Sequence, residues 1–268
     1  MIFLNSVHIS RCRDPKIILE GLDILSRDTF PGDQTVYKER MCEETLICVS
    51  EGIFDLGQLC EAVMILGNFF PDRKQGMRVA DKLWSGIMDK SDKINQDNLS
   101  TVFLTLPHLK QSRDVIFKML AGKMPDHWRQ YQTRHVLEIL RVLKELRFSS
   151  IKVMQILSRW LTVNIHTLSE EEALAVIYCF HELGYIDSSI IRTMERYMKV
   201  KGCTIQERDL VATICDYCLE FRVRSPAILT GVGEYFIEHA RELSTPQIYS
   251  ITRYYSSSFF GRGRRLAK

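Results

Sequence analysis

The feature that most constrains this chain is a recurrence. A serine marks the start of the second helix in successive predicted hairpins, at Ser112, Ser149, Ser188 and Ser225, at intervals of 37, 39 and 37 residues. Serine caps helix N-termini because its hydroxyl accepts a hydrogen bond from a backbone N–H that the helix leaves unpaired. A repeat of this length denotes a small helical unit that cannot bury its apolar face alone and must stack on copies of itself.

The rest of the pattern keeps the same register. With units starting at Arg13, Ile53, Lys93, Tyr131, Leu168, Thr204 and Glu242, the seventh residue is Leu19, Leu59, Leu99, Leu137, Leu174, Leu210 and Ile248, always large and aliphatic. Seventeen residues after each start stand Phe30, Phe70, Lys110, Phe148, Tyr185, Phe221 and Phe259. Lys110 is the exception, and Pro107 just before it predicts a distorted helix end. Leu137, Leu140 and Leu143, and Ile190, Met194 and Met198, recur at helical spacing and give the helices apolar faces. The expected fold is all-α: an α-solenoid of helical hairpins with a period of about 37–40 residues. Six hairpins and a terminal half-repeat are assigned to residues 13–260, with 1–12 as a targeting or docking segment and 261–268 as a basic tail. A length of 268 residues suits one such stack, because contacts between neighbours set no upper size.

Net charge is only +3, but its distribution is uneven. Residues 108–160 carry eleven basic and four acidic side chains, a balance of +7, whereas 168–221 carry five basic and ten acidic, a balance of −5. The basic stretch attracts phosphate backbones; it is equally what solvated helix faces look like. Lys110, Arg113, Arg134, Arg141, Lys144 and Arg147, with Arg262, Arg264 and Arg265 in the glycine-interrupted tail, are the candidate RNA contacts. The segment Leu243 to Phe260 places Ile251, Tyr254, Tyr255, Phe259 and Phe260 on a first helix with no second helix after it, so these are the candidate partner-docking residues. Packing of that helix onto the preceding hairpin is the competing reading.

Catalytic patterns are weak. Cys215-Asp216-Tyr217-Cys218 is formally a CxxC, but it falls within a first helix and has neither a second CxxC nor histidines at zinc-ligand spacing. The eight cysteines are scattered, as in a reducing compartment, and packing as small hydrophobes is their default use. Gly231-Val232-Gly233 lies inside a second helix and lacks the loop of a phosphate site. Glu170-Glu171-Glu172 follows Ser169 and suits the first turn of a helix. No metal, cofactor or enzymatic activity is expected. No run of about 18 apolar residues suggests a membrane span.

The opening Leu168-Ser169-Glu170-Glu171-Glu172-Ala173-Leu174 and the closing His181-Glu182-Leu183-Gly184-Tyr185, matched one unit earlier by Lys144-Glu145-Leu146-Arg147-Phe148, resemble octotricopeptide and heptatricopeptide repeats and the helical repeats of FAST-kinase-like proteins. The resemblance covers residues 53–260 and lacks the Pro-Pro-Pro-Glu-Trp signature of octotricopeptide repeats. It implies an organellar protein, mitochondrial or plastid, acting in RNA binding, RNA maturation or ribosome assembly. Arg11 and Arg13 among Ile2, Phe3, Leu4, Val7 and Ile9, with no acidic residue, fit an import helix. The expected function is non-catalytic RNA binding within a mitochondrial ribonucleoprotein such as the mitoribosome, with rRNA as the expected RNA and the matrix as the location. The alternative is a protein-interaction scaffold or accessory subunit of a large mitochondrial complex.

Overall fold

A computed structural model of the chain describes residues 13–27, 35–67, 69, 73–95, 97–109, 113–148 and 150–260, except for the side chains at 73, 75, 77, 113, 114, 127, 259 and 260. Among the described residues the fold is all-helical. Its α-helices are α1 (Pro15–Ser26), α2 (Thr35–Ser50), α3 (Leu56–Gly67), α4 (Arg73–Asp89), α5 (Leu99–Leu104), α6 (Arg113–His127), α7 (Thr133–Glu145), α8 (Ile151–Asn164), α9 (Glu170–Glu182), α10 (Ser188–Lys201), α11 (Arg208–Glu220), α12 (Pro226–His239) and α13 (Thr245–Phe260). They fall into two compact units, Met1–Gln130 and Tyr131–Lys268. Among the described residues no helix is long and apolar enough to cross a membrane.

In the first unit α3 is the hub, packing on α1, α4 and α5, while α2 packs on α1 and α4. The α3–α4 crossing is tight enough to need glycine. A Cβ added to Gly76 would lie 2.8 Å from the carbonyl oxygens of both Leu66 and Gly67. The distortion expected near Pro107 is present: α5 stops at Leu104 and a 3-10 turn, Leu106–His108, carries the proline. The short helix still buries Leu99, Val102 and Phe103, and Phe103 meets Phe117 of α6 edge to face at 5.9 Å.

The second unit is more regular. The first helices of its hairpins, α7, α9, α11 and α13, pack on one another in chain order, and so do the second helices α8, α10 and α12. The second-helix layer is centred on Trp160, Tyr197 and Tyr235, each no more than 2% exposed. Polar ties repeat along it: the Ser158 hydroxyl donates to Asp187 at 2.6 Å, Thr193 to Thr162 at 2.9 Å, and Ser225 to Glu195 at 2.7 Å. Three first helices end alike. Arg147, Gly184 and Arg222 have φ of 49°, 63° and 54°. The next N–H, of Phe148, Tyr185 or Val223, donates to the carbonyl five residues back at 3.0, 3.1 and 2.8 Å. This is the left-handed termination that lets a chain leave a helix while satisfying its last carbonyls.

Two of the four serine markers, Ser188 and Ser225, fall among the described residues, and both stand at helix starts. Ser225 caps α12, accepting from the Ile228 N–H at 3.3 Å. Ser188 is the first residue of α10, and the cap is Asp187, which accepts from the N–H groups of Ser189 and Ile190 at 2.8 Å. A carboxylate one residue earlier does the same job with charge added. Ser150 precedes α8; Ser149 and Ser112 lie outside the described residues. Of the seventh-position anchors, Leu19, Leu59, Leu99 and Leu210 are buried, whereas Leu137, Leu174 and Ile248 are only half-buried. In their helices Leu140, Ile177 and Ile251, three residues on, are fully buried, because the inward stripe is rotated from the expected one.

Candidate interaction surface

Helix α9 starts with a capping box: the Ser169 hydroxyl accepts from the Glu172 N–H at 3.1 Å, and the Glu172 carboxylate accepts from the Ser169 N–H at 2.9 Å. The three consecutive glutamates therefore divide their roles. Glu172 closes the box. Glu170 reaches the next repeat, where its Oε2 accepts from the N–H groups of Gln206 and Glu207 at 2.8 and 2.7 Å, ahead of α11. Glu171 is left on the outer face of the helix, exposed. A shared first-turn role is the sequence expectation for all three; the two additional roles depend on a partner more than thirty residues away or on a surface that folding creates.

Glu171 lines a groove of about 540 Å³ that spans three first helices of the second unit. Leu174, Ala175 and Tyr178 continue its wall on α9; Asp209, Ala212, Thr213 and Asp216 come from α11; Pro246, Gln247 and Ser250 come from α13. On α9 and α11 these residues follow helical spacing, so each helix contributes one stripe to the groove, with Ala212 buried at the base of the α11 stripe. The inward stripes bury Ala173, Val176, Ile177 and Phe180 on α9, and Val211, Ile214, Cys215 and Cys218 on α11. Gln247 links the wall to the helix start, since its Oε1 accepts from the Ser244 N–H at 2.9 Å while its amide donates to Asp209 at 2.7 Å. The Ser250 hydroxyl donates to Asp216 at 2.9 Å.

Acids on the edges of these helices are paired with cations or imidazoles of neighbouring repeats. Lys144 meets Glu182 at 3.5 Å, His181 meets Glu220 at 2.5 Å, and Arg208 meets Glu242 at 2.5 Å. Lys144 also sits 4.6 Å from the ring centroid of Tyr178, a cation–π contact. Among the described residues, Glu171, Asp209 and Asp216 have no such ion pair.

The candidate RNA contacts are distributed differently from the groove. Arg134 and Arg141 are exposed on α7, and Arg147 is exposed in the turn that ends it. Lys144 is half-buried and engaged with Glu182 and Tyr178. Lys110, Arg262, Arg264 and Arg265 lie outside the described residues, as does the Arg113 side chain.

Two of the docking residues expected on α13, Ile251 and Tyr254, turn inward. Ile251 and Tyr254 are each 1% exposed, and α13 packs on α11 and α12, so these two side chains belong to the core of the second unit and present no surface to a partner. Tyr255 is half-buried, and its hydroxyl donates to the Leu229 carbonyl of α12. That contact explains Gly233, where an added Cβ would lie 2.2 Å from the Tyr255 hydroxyl. The glycines of Gly231-Val232-Gly233 thus serve helix packing: a Cβ at Gly231 would meet Met198 of α10 at 3.1 Å. The Phe259 and Phe260 side chains lie outside the described residues.

The CxxC cysteines face the same core. Cys215 and Cys218 are fully buried. Burial pushes the Cys218 thiol up to about 12, with the Glu195 carboxylate adding to the shift. Burial, together with Cys218 and Asp216, raises Cys215 well above its ordinary value. Both are held as thiols, the unreactive form of a cysteine buried in apolar surroundings.

No protein-family model matches the chain, and no curated protein matches it in sequence.

Proposed function

We propose that this protein is a non-catalytic α-solenoid scaffold that holds a partner polypeptide in the groove across α9, α11 and α13. The observation that carries this reading is the groove itself: about 540 Å³, lined by stripes of three successive first helices. The groove is open rather than enclosed, a form that suits a segment of polypeptide lying across the helices better than a small molecule. The 37–40-residue period and the two layers of like helices in the second unit support the solenoid class, whose members work by presenting extended surfaces. The acidic wall disfavours a phosphate backbone in the groove.

RNA binding within an organellar ribonucleoprotein is the second reading. It is favoured by one observation: Arg134, Arg141 and Arg147 are exposed on and just after α7, and none has a carboxylate partner among the described residues.

Photocrosslinking in cells separates the two. With benzoylphenylalanine in place of Ala175 in the groove, or of the exposed Val200 in the second-helix layer, a defined protein adduct is expected from Ala175 alone. Equal protein adducts from both positions would remove the groove from the scaffold reading, and RNA adducts from the same analogue placed at the exposed Arg141, with no protein adduct from Ala175, would replace it with the RNA one.

A further inference from the structure

The groove's carboxylates stand apart from the other acids on the same helices. Glu182 and Glu242 are ion-paired across repeats with Lys144 and Arg208, and the Glu170 carboxylate accepts two backbone N–H groups of the next repeat. Asp209 and Asp216 each receive a single neutral donor, from Gln247 and Ser250. An ionised carboxylate accepts several hydrogen bonds, so both keep acceptor capacity. They lie beside Ala212 and Pro246, and low-dielectric walls concentrate the field of like charges placed between them. Such a field attracts cations and repels anions.

The spacing along α11 narrows the ligand further. Asp209 and Asp216 are seven residues apart on one helix, so their Cα atoms are separated by about 10 Å along its axis. Between them on the groove stripe stand the small residues Ala212 and Thr213, while the flanking helices raise Leu174 and Tyr178 on one side and Pro246 and Gln247 on the other. The result is a trough along α11 with a shallow, partly apolar floor and an acid toward each end. A helix laid in it presents side chains at i, i+3, i+4 and i+7 to the same face.

We infer, resting on the scaffold reading above, that the occupant is an amphipathic helix lying along α11, with lysine or arginine at i and i+7 opposite Asp209 and Asp216 and apolar residues at i+3 and i+4 over Ala212 and Thr213. Charge complementarity at the two ends sets its register, and Glu171 adds to the attraction for its cations.

The test is selection of 16-residue peptides from an unbiased display library on the full-length protein, followed by measurement of the selected peptides against two variants. Asp209→Asn with Asp216→Asn removes the charge while keeping an oxygen for Gln247 and Ser250; Thr213→Trp fills the trough. Circular dichroism checks that both retain their helicity. The expected result is enrichment of Lys or Arg at i and i+7, with affinity falling by at least about 10-fold in each variant. Peptides weakened by Thr213→Trp but indifferent to the paired Asn variant would overturn the cationic helix and leave the groove reading standing. Peptides indifferent to Thr213→Trp, or polyuridylate binding that Thr213→Trp abolishes, would overturn the groove reading itself.

Discussion

The two units are built from the same kind of element and are held together by different means. In the first, α3 and α4 cross with backbone nearly touching backbone, and the position of Gly76, 2.8 Å from two carbonyl oxygens, leaves no space for a side chain. In the second, the approach of Gly231 to the Met198 backbone is looser, at 3.1 Å, and recurring bonds tie the helices: Ser158 to Asp187, Ser225 to Glu195, Lys144 to Glu182, Arg208 to Glu242. A close crossing concentrates its tolerance in one residue, whereas a laddered stack spreads it over many modest contacts. The laddered arrangement also leaves room between side chains on the outer face, and the groove across α9, α11 and α13 occupies that room.

The sharpest way to break the comparison is Gly76→Ala. The carbonyls of Leu66 and Gly67 belong to a helix backbone and cannot rotate away, so the crossing must open, at a cost of about 3 kcal/mol. Hydrogen exchange followed by mass spectrometry should show protection lost across 56–89 and retained across 133–258. Uniform loss in both segments would mean that the first unit has no special dependence on this crossing.

A smaller effect is expected from Gly233→Ala, the corresponding insertion in the second unit. Here the obstacle is the Tyr255 hydroxyl, the end of a side chain that can swing aside, so the cost is the hydrogen bond to the Leu229 carbonyl and some packing, about 1–2 kcal/mol. Because the two residues share one contact, Gly233→Ala combined with Tyr255→Phe should be less destabilised than the sum of the single changes. Additivity in denaturant melts would separate Gly233 from Tyr255.

The smallest change runs the other way. Arg222 holds φ at 54°, a conformation that costs a non-glycine residue about 1–2 kcal/mol, and Gly184 shows what the equivalent turn after α9 uses. Replacing Arg222 with glycine removes that strain and adds about 0.5–1 kcal/mol of unfolded-chain entropy loss, for a net gain of about 0.5–1 kcal/mol. A rise in the denaturation midpoint checks it; a fall would mean that the Arg222 side chain contributes more than its backbone costs.

Much of the helical pattern was legible because it depends on local chemistry. Helix periodicity, the capping box at Ser169 and Glu172, and the disruption at Pro107 all involve residues within a few positions of one another. The candidate surface was legible only in part. The acid-rich composition of 168–221 gives a charge balance, but not that Glu182 is paired with Lys144 of the preceding repeat while Asp209 and Asp216 line a groove. The aromatic stripe of α13 was legible as an apolar face without showing its direction, and Ile251 and Tyr254 prove to face α11 and α12.

The all-helical class follows from local chemistry alone, since backbone capping and the 3.6-residue apolar period act over one or two turns. Only the tertiary structure decided which carboxylates are spent on neighbours and which remain facing a groove, and which aromatic residues are core. Those outcomes depend on pairs such as Glu170 with Glu207, Lys144 with Glu182 and Tyr255 with Leu229, separated by 37, 38 and 26 residues. Charge and apolarity are carried by each residue in the chain; whether they meet a partner or water is settled when the helices pack.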